Sequence, residues 1–171
     1  KDIIDLNELE SALSSNPMVK NVEVYMSVNG EVSAEIVQKR PIARVYTNAS
    51  YYIDDEGSYM PLSANYSARV PLVTGTVYKS KLDRVYEIAK VIDQDKFLKQ
   101  HVIEISQDPD KNISLRLRKY DFKLYIGSLD KLKKKISNFK VFYKKAIKDK
   151  TIKTFSSVNL RFDNQVICTK K

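Results

Sequence analysis

Few side chains in this sequence have the type and spacing for chemistry. Cys168 is the one thiol and His101 the one imidazole. Each falls within a strand-like run, where a small buried or edge cysteine and a satisfied or surface histidine are the simpler readings. Asp54–Asp55–Glu56 could hold a cation, but directly before Gly57 the triplet reads as a solvated turn. One Cys and one His exclude a Cys/His zinc site and an internal disulfide framework. No GxGxxG, GxxxxGK[ST] or HExxH is present, and four glycines in the chain leave little room for phosphate-cradling loops. Asn48–Ala49–Ser50, Asn65–Tyr66–Ser67 and Asn112–Ile113–Ser114 match glycosylation sequons, which read as chance matches. These residues predict no enzyme, no cofactor, no metal and no small-molecule substrate, and they leave protein binding as the expected activity.

Composition narrows the class further. The chain has 171 residues, 43% apolar and 30% charged, enough for one ordinary domain or two small ones around a real core. Its longest apolar runs fall far short of the ~20 residues that span a bilayer. The first residue is Lys1 rather than Met, which suggests a region excised from a longer protein. The net charge of +9 is uneven. Residues 1–75 hold 6 basic and 10 acidic side chains, a balance of −4; the other 24 basic and 11 acidic side chains give residues 76–171 a balance of +13. So basic a half invites a nucleic-acid or anionic-lipid reading. From Lys131 to Lys150, however, Leu132, Ile136, Phe139, Tyr143 and Ala146/Ile147 recur at helical spacing, and the lysines mostly fill the other positions. This stretch contains no Arg, the residue suited to bidentate phosphate contacts, so the lysines read as a solvated coat. The 11 tyrosines are scattered rather than grouped as a stacking platform, so no nucleic-acid partner is expected.

The elements that must position these residues follow from periodicity. Asp5 and Glu8 form a capping-box-like pair before Leu6, Leu9 and Leu13, and the resulting helix ends at Ser15–Asn16–Pro17. Val22, Val24, Met26 and Val28 alternate, as do Val32, Ala34, Ile36 and Gln38, with Asn29–Gly30 between them; this predicts a hairpin. Arg40–Pro41 breaks the pattern, and a domain boundary is placed there. Short strands are expected at Ala43–Val45, Tyr51–Ile53 and Ser58–Met60, and a helix over Lys81–Asp93. Further strands are expected at His101–Ser106, Ile113–Arg118 and Phe122–Ile126, followed by the Lys-rich helix. A strand over Ser156–Phe162, with Val158, Leu160 and Phe162 on one face, a turn at Asp163–Asn164–Gln165 and a strand at Val166–Thr169 close the chain. This order predicts an α+β fold with largely antiparallel pairing and flanking helices.

Specific residues add a resemblance. Leu9–Glu10–x–x–Leu13–x–x–Asn16–Pro17–x–Val19, followed by Val22–Glu23–Val24–Tyr25, resembles the helix-to-strand segment of a POTRA domain. Gln38–Lys39–Arg40–Pro41–Ile42–Ala43–Arg44–Val45 is similar to the exit from that domain in FtsQ/DivIB proteins. Tyr52–Ile53–Asp54–x–x–Gly57, Met60–Pro61–Leu62 and Val70–Pro71–Leu72–Val73–Thr74–Gly75 resemble the start of the family's β domain, and Val158–Asn159–Leu160–Arg161–Phe162 its last long strand. Tyr66–Pro71 looks closest to the Bacteroidetes branch. The resemblance implies a truncated POTRA-like domain over 1–41, with Lys1–Ile4 at most a remnant of its first strand, and an FtsQ-type β domain over 42–171. It implies a single-pass inner-membrane protein of the division machinery, with this region in the periplasm and the membrane helix upstream. It also implies a non-enzymatic scaffold that binds FtsB and FtsL, with other division proteins as further candidate partners, and helps regulate septal peptidoglycan synthesis.

For the site, the resemblance carries Phe162, the aromatic directly after Leu160–Arg161, and the small polar Asn164 to the FtsB interface. The family has a Tyr where Phe162 stands, and the chain ends in Lys170–Lys171 rather than a Trp-containing strand. Val166 and Cys168 are added from alternation along a C-terminal edge strand, where backbone groups are free to take a partner strand. Arg161 completes the expected set. Two further readings are a POTRA-type outer-membrane assembly or secretion module, and a basic domain that binds anionic lipid or nucleic acid.

Overall fold

A computed structural model of the chain describes residues 5–171; the strand remnant expected at Lys1–Ile4 lies outside the described residues. Asp5 caps helix α1 (Leu6–Ser14), its carboxylate accepting from the backbone N–H of Asn7 at 2.9 Å and of Glu8 at 3.3 Å. Those donors would otherwise be left free by the first helical turn. Strand β1 (Val19–Met26) pairs antiparallel with β2 (Val32–Gln38), placing Val22 opposite Ile36 and Val24 opposite Ala34. The hairpin is the expected one, but its turn is wider than a two-residue Asn-Gly loop. Residues 27–31 form it, Ser27 N–H donating to the Glu31 carbonyl at 2.9 Å, and Gly30 takes φ of 85°, a conformation glycine adopts without cost. The Val24 N–H donates to Glu10 Oε2 at 3.3 Å and ties the hairpin to α1.

These two strands form a sheet of their own. Lys39–Arg40 leads out of it into a nine-stranded sheet, in the order β11-β10-β9-β8-β7-β6-β3-β4-β5. Its strands are β3 (Pro41–Tyr46), β4 (Ser50–Asp54), β5 (Tyr59–Met60), β6 (Leu72–Gly75), β7 (Val102–Gln107), β8 (Ile113–Leu117), β9 (Lys123–Gly127), β10 (Phe155–Asn159) and β11 (Ile167–Lys170). Most neighbours are antiparallel; β3–β6, β6–β7 and β9–β10 are parallel. A parallel neighbour demands a crossover, usually helical. Helices α2 (Asp83–Gln94) and α3 (Lys96–His101) fill the one between β6 and β7, and α4 (Leu132–Lys148) with a short 3-10 turn at Ile152–Thr154 fills the one between β9 and β10. The fold is α+β, as read from the sequence.

One core serves this sheet. Val45, Ile53, Val73, Ile105, Leu115, Leu124, Ile126 and Val158 are fully buried together with Val85, Ile88, Ala89 and Ile92 of α2 and Phe139 of α4. Each such Val, Leu, Ile or Phe side chain contributes about 1.5–3 kcal/mol of transfer free energy. Phe97 of α3 joins the helices, its ring edge-on to Tyr143 at 5.0 Å and to Phe139 at 6.2 Å. The other sheet face is more polar: Arg44, Glu104, Arg116 and Lys123 stand in register with Leu72 across five strands, while Tyr52 and Met60 are buried at its β4–β5 end. Glu104 there accepts from the Thr74 hydroxyl at 2.9 Å and pairs with Arg116 at 2.8 Å.

Four local expectations change. His101 does not open a strand; it ends α3, a helix absent from the periodicity reading and started by Asp95, whose carboxylate accepts from Leu98 N–H at 3.0 Å. Asp54–Asp55–Glu56 is not uniformly solvated. Asp54 is 1% exposed and its carboxylate accepts from Glu56 N–H at 3.0 Å and Ser58 N–H at 2.8 Å, stapling the β4–β5 turn from inside. Strand β10 stops at Asn159, short of Phe162. Asn159 Oδ1 accepts from both the backbone N–H of Arg161 at 3.0 Å and its Nε at 3.1 Å, a local turn that competes with continued pairing. Phe162 therefore does not finish the core face of Val158 and Leu160; it is 49% exposed.

Candidate partner-binding edge

The C-terminal side of the sheet is built from β9, α4, β10 and β11. Leu160 N–H donates to the Tyr125 carbonyl at 2.8 Å. Backbone groups of a strand alternate in direction, so Val158 and Leu160 address β9, while Ser157 and Asn159 address β11. The partners of the latter two are Thr169 and Ile167. Cys168, which faces Val158, thus turns its N–H and C=O away from β10, toward the free side of β11. Among the described residues, that leaves a backbone donor and acceptor without a strand partner on the outer edge of a terminal strand, the arrangement that receives another strand.

The side chains sort differently from the backbone. Val166 and Cys168 are half-buried against the core, so they shape the edge from behind. Burial pushes the Cys168 thiol up from its ordinary range, which keeps it out of the nucleophilic thiolate form. Ile167, on the opposite face, is exposed and was missed by the sequence reading; the alternation seen from Val158 through Cys168 carried its signal.

Arg161, Phe162 and Asn164 lie in the loop between β10 and β11, all exposed. The guanidinium of Arg161 sits over the Tyr125 ring at 5.7 Å, and its aliphatic stem fills the space beside Gly127, where an added Cβ would meet Arg161 Cγ at 2.7 Å. The first turn of α4 holds the rest of the loop. Lys131 pairs with Asp163, and Lys134 Nζ donates to Asn164 Oδ1 at 2.8 Å. The Lys131 hydrogen bond holds the Asp163 carboxyl below its usual value. Next to them Lys135 is buried, donating to the carbonyls of Ile126 at 3.0 Å and Ser128 at 2.7 Å, and burial lowers its pKa. The structure therefore gathers Arg161, Phe162 and Asn164 into one anchored loop and sets Cys168 beside it on the free edge. Lys131 and Lys134 were not foreseen, because contacts across some thirty residues leave no spacing signal.

The described residues hold no group of three or more His, Cys, Asp or Glu side chains that could bind a metal. None of their helices is long and apolar enough to cross a membrane. This geometry defines a class: an α+β domain with a mixed sheet whose last strand offers its backbone, beside a loop that offers an aromatic ring. The family described as FtsQ/DivIB, C-terminal related, matches residues 40–169. A cell division protein FtsQ from Myxococcus fulvus (strain ATCC BAA-855 / HW-1) is 30% identical over 73 residues, 42% of this chain and 26% of that protein. The matched stretch thus spans about a quarter of that curated relative's length. The chain belongs to the FtsQ/DivIB family of cell division proteins.

Proposed function

We propose that this chain is a non-enzymatic scaffold of the bacterial division machinery, acting in the periplasm as part of a single-pass inner-membrane protein. It binds FtsB and FtsL by strand addition on the outer edge of β11 and so helps regulate septal peptidoglycan synthesis. In this reading residues 1–41 form a POTRA-like unit and residues 42–171 the partner-binding β domain. The observation that carries it is the outward backbone N–H and C=O of Cys168 at the sheet terminus, with exposed Phe162 in the adjoining loop. Backbone bonds at such an edge supply affinity, and side chains beside it select the partner.

A Cys168→Pro variant tests the mechanism. Proline is tolerated where a strand N–H faces solvent, so the inward bonds of Ile167 and Thr169 persist while the outward donor is lost. Calorimetry with the FtsB–FtsL periplasmic segments is expected to show affinity reduced by about tenfold or more, the equivalent of ~1.4 kcal/mol. Undiminished affinity with an unchanged circular dichroism spectrum overturns strand addition at this edge.

A further inference from the structure

We propose that the outward face of α4 docks on an anionic lipid surface. Lys133, Val141, Lys144 and Lys148 follow one another at helical spacing along this face, with Lys134 and Lys145 on the adjacent row. All six are exposed, and Val141, near the centre, is 68% exposed. The helix contains no Asp, Glu or Arg; Asp130 and Asp149 lie just beyond its two ends.

The lysines divide by use. Lys131 is paired with Asp163, Lys140 with Asp95, Lys134 is bonded to Asn164, and Lys135 is buried against backbone carbonyls. Lys133, Lys144, Lys145 and Lys148 have no ion-pair or hydrogen-bond partner among the described residues, and they concentrate on the side turned away from the sheet. A coat that serves solvation alone mixes signs. Here like charges stand one helical turn apart at Lys144 and Lys148 with no counter-ion between them, an arrangement that repels unless an anionic partner neutralises it.

The shape of the face identifies the partner. Point-charge ammonium groups spread along 17 residues, about 25 Å of helix, match a plane of headgroups rather than one phosphate. Nucleic acid would favour Arg forks or stacking rings, and the face presents neither. Val141, exposed one turn before Lys144 and Lys145, fits the apolar boundary beneath the headgroups, where long cationic side chains reach outward to phosphate. The docking is reversible and salt-dependent, since one valine cannot anchor a helix.

The test is co-sedimentation of the full chain with vesicles of 3:1 phosphatidylcholine:phosphatidylglycerol, against pure phosphatidylcholine. Binding to the anionic vesicles alone is expected at low salt, weakening as salt rises. Lys133→Gln/Lys144→Gln/Lys145→Gln/Lys148→Gln should reduce it by about a hundredfold or more, given the contribution of each lysine near an anionic surface. Lys81→Gln/Lys90→Gln/Lys96→Gln/Lys119→Gln, which removes the same charge from exposed positions elsewhere, should retain wild-type binding. Equal losses in both variants, binding to neutral vesicles, no vesicle binding, or tighter binding to duplex DNA at the same salt would each overturn the proposal.

Discussion

Lys134 on α4 donates to Asn164 Oδ1 at 2.8 Å across thirty residues of sequence, joining a helix of the core to the loop that carries the exposed Phe162 ring. Together with the Lys131–Asp163 pair it holds that loop in place at two adjacent residues, Asp163 and Asn164. A ring displayed on an anchored loop loses less freedom on binding than one on a mobile segment.

Phe162→Ala removes a ring about half of which already faces water. Its melting temperature is expected to shift little, within about 0.5 kcal/mol of stability. Affinity for FtsB–FtsL is expected to fall by roughly 1–2 kcal/mol, as for an aromatic anchor. Calorimetry paired with thermal melts separates the two effects, and a large stability loss with intact affinity contradicts the assignment.

Asn159→Ala removes the acceptor of both Arg161 donors. A cost of about 1–2 kcal/mol is expected, with the greatest rise in amide exchange confined to residues 160–165. Exchange that rises evenly over β10 would show that the side chain supports the strand rather than the turn.

Asp93 gives a pH dependence. Its carboxylate meets Arg40 at 3.0 and 2.8 Å and Lys99 at 2.7 Å, and the Arg40 hydrogen bonds foremost bring its pKa down to about 2. A folded value below the unfolded one stabilises the protein above the unfolded pKa, and that gain is lost as pH falls toward about 2. Because Arg40 is half exposed, the contribution is set at about 1 kcal/mol after allowing for solvent screening. Denaturant titrations at pH 6 and pH 2.5 should show a smaller acid-induced loss in Asp93→Asn than in the parent chain.

Gly75→Ala is expected to be severe. Gly75 has φ of 90°, and an added Cβ would lie 2.1 Å from the Gln107 carbonyl oxygen, a backbone atom held by the β6–β7 ladder. Destabilisation of at least ~2 kcal/mol is expected from combined strain and clash, read as a lowered denaturation midpoint.

Much of this architecture was legible because local rules agreed. The alternation on both sides of Asn29–Gly30 marked β1 and β2, and the spacing of Leu132, Ile136, Phe139 and Tyr143 marked α4. What escaped was decided by single side chains bonding to nearby backbone. Asp95 starts α3 one residue after α2 ends, so two helices with a break between them leave little periodicity to read. Asn159 ends β10 although the apolar pattern runs on to Phe162. At the candidate site, the order of strands pointed to the C-terminal edge, whereas the lysine tethers and the outward turn of Cys168 depend on contacts that no spacing encodes.

The opposite end of the nine-stranded sheet is β5, whose paired length is only Tyr59–Met60. Two residues give a visiting strand too few backbone bonds to offset its ordering. Growth by pairing is therefore one-sided. A chain that joins a partner through β11 offers no comparable second edge on this sheet, so the nine-stranded sheet favours complexes of fixed stoichiometry over fibres.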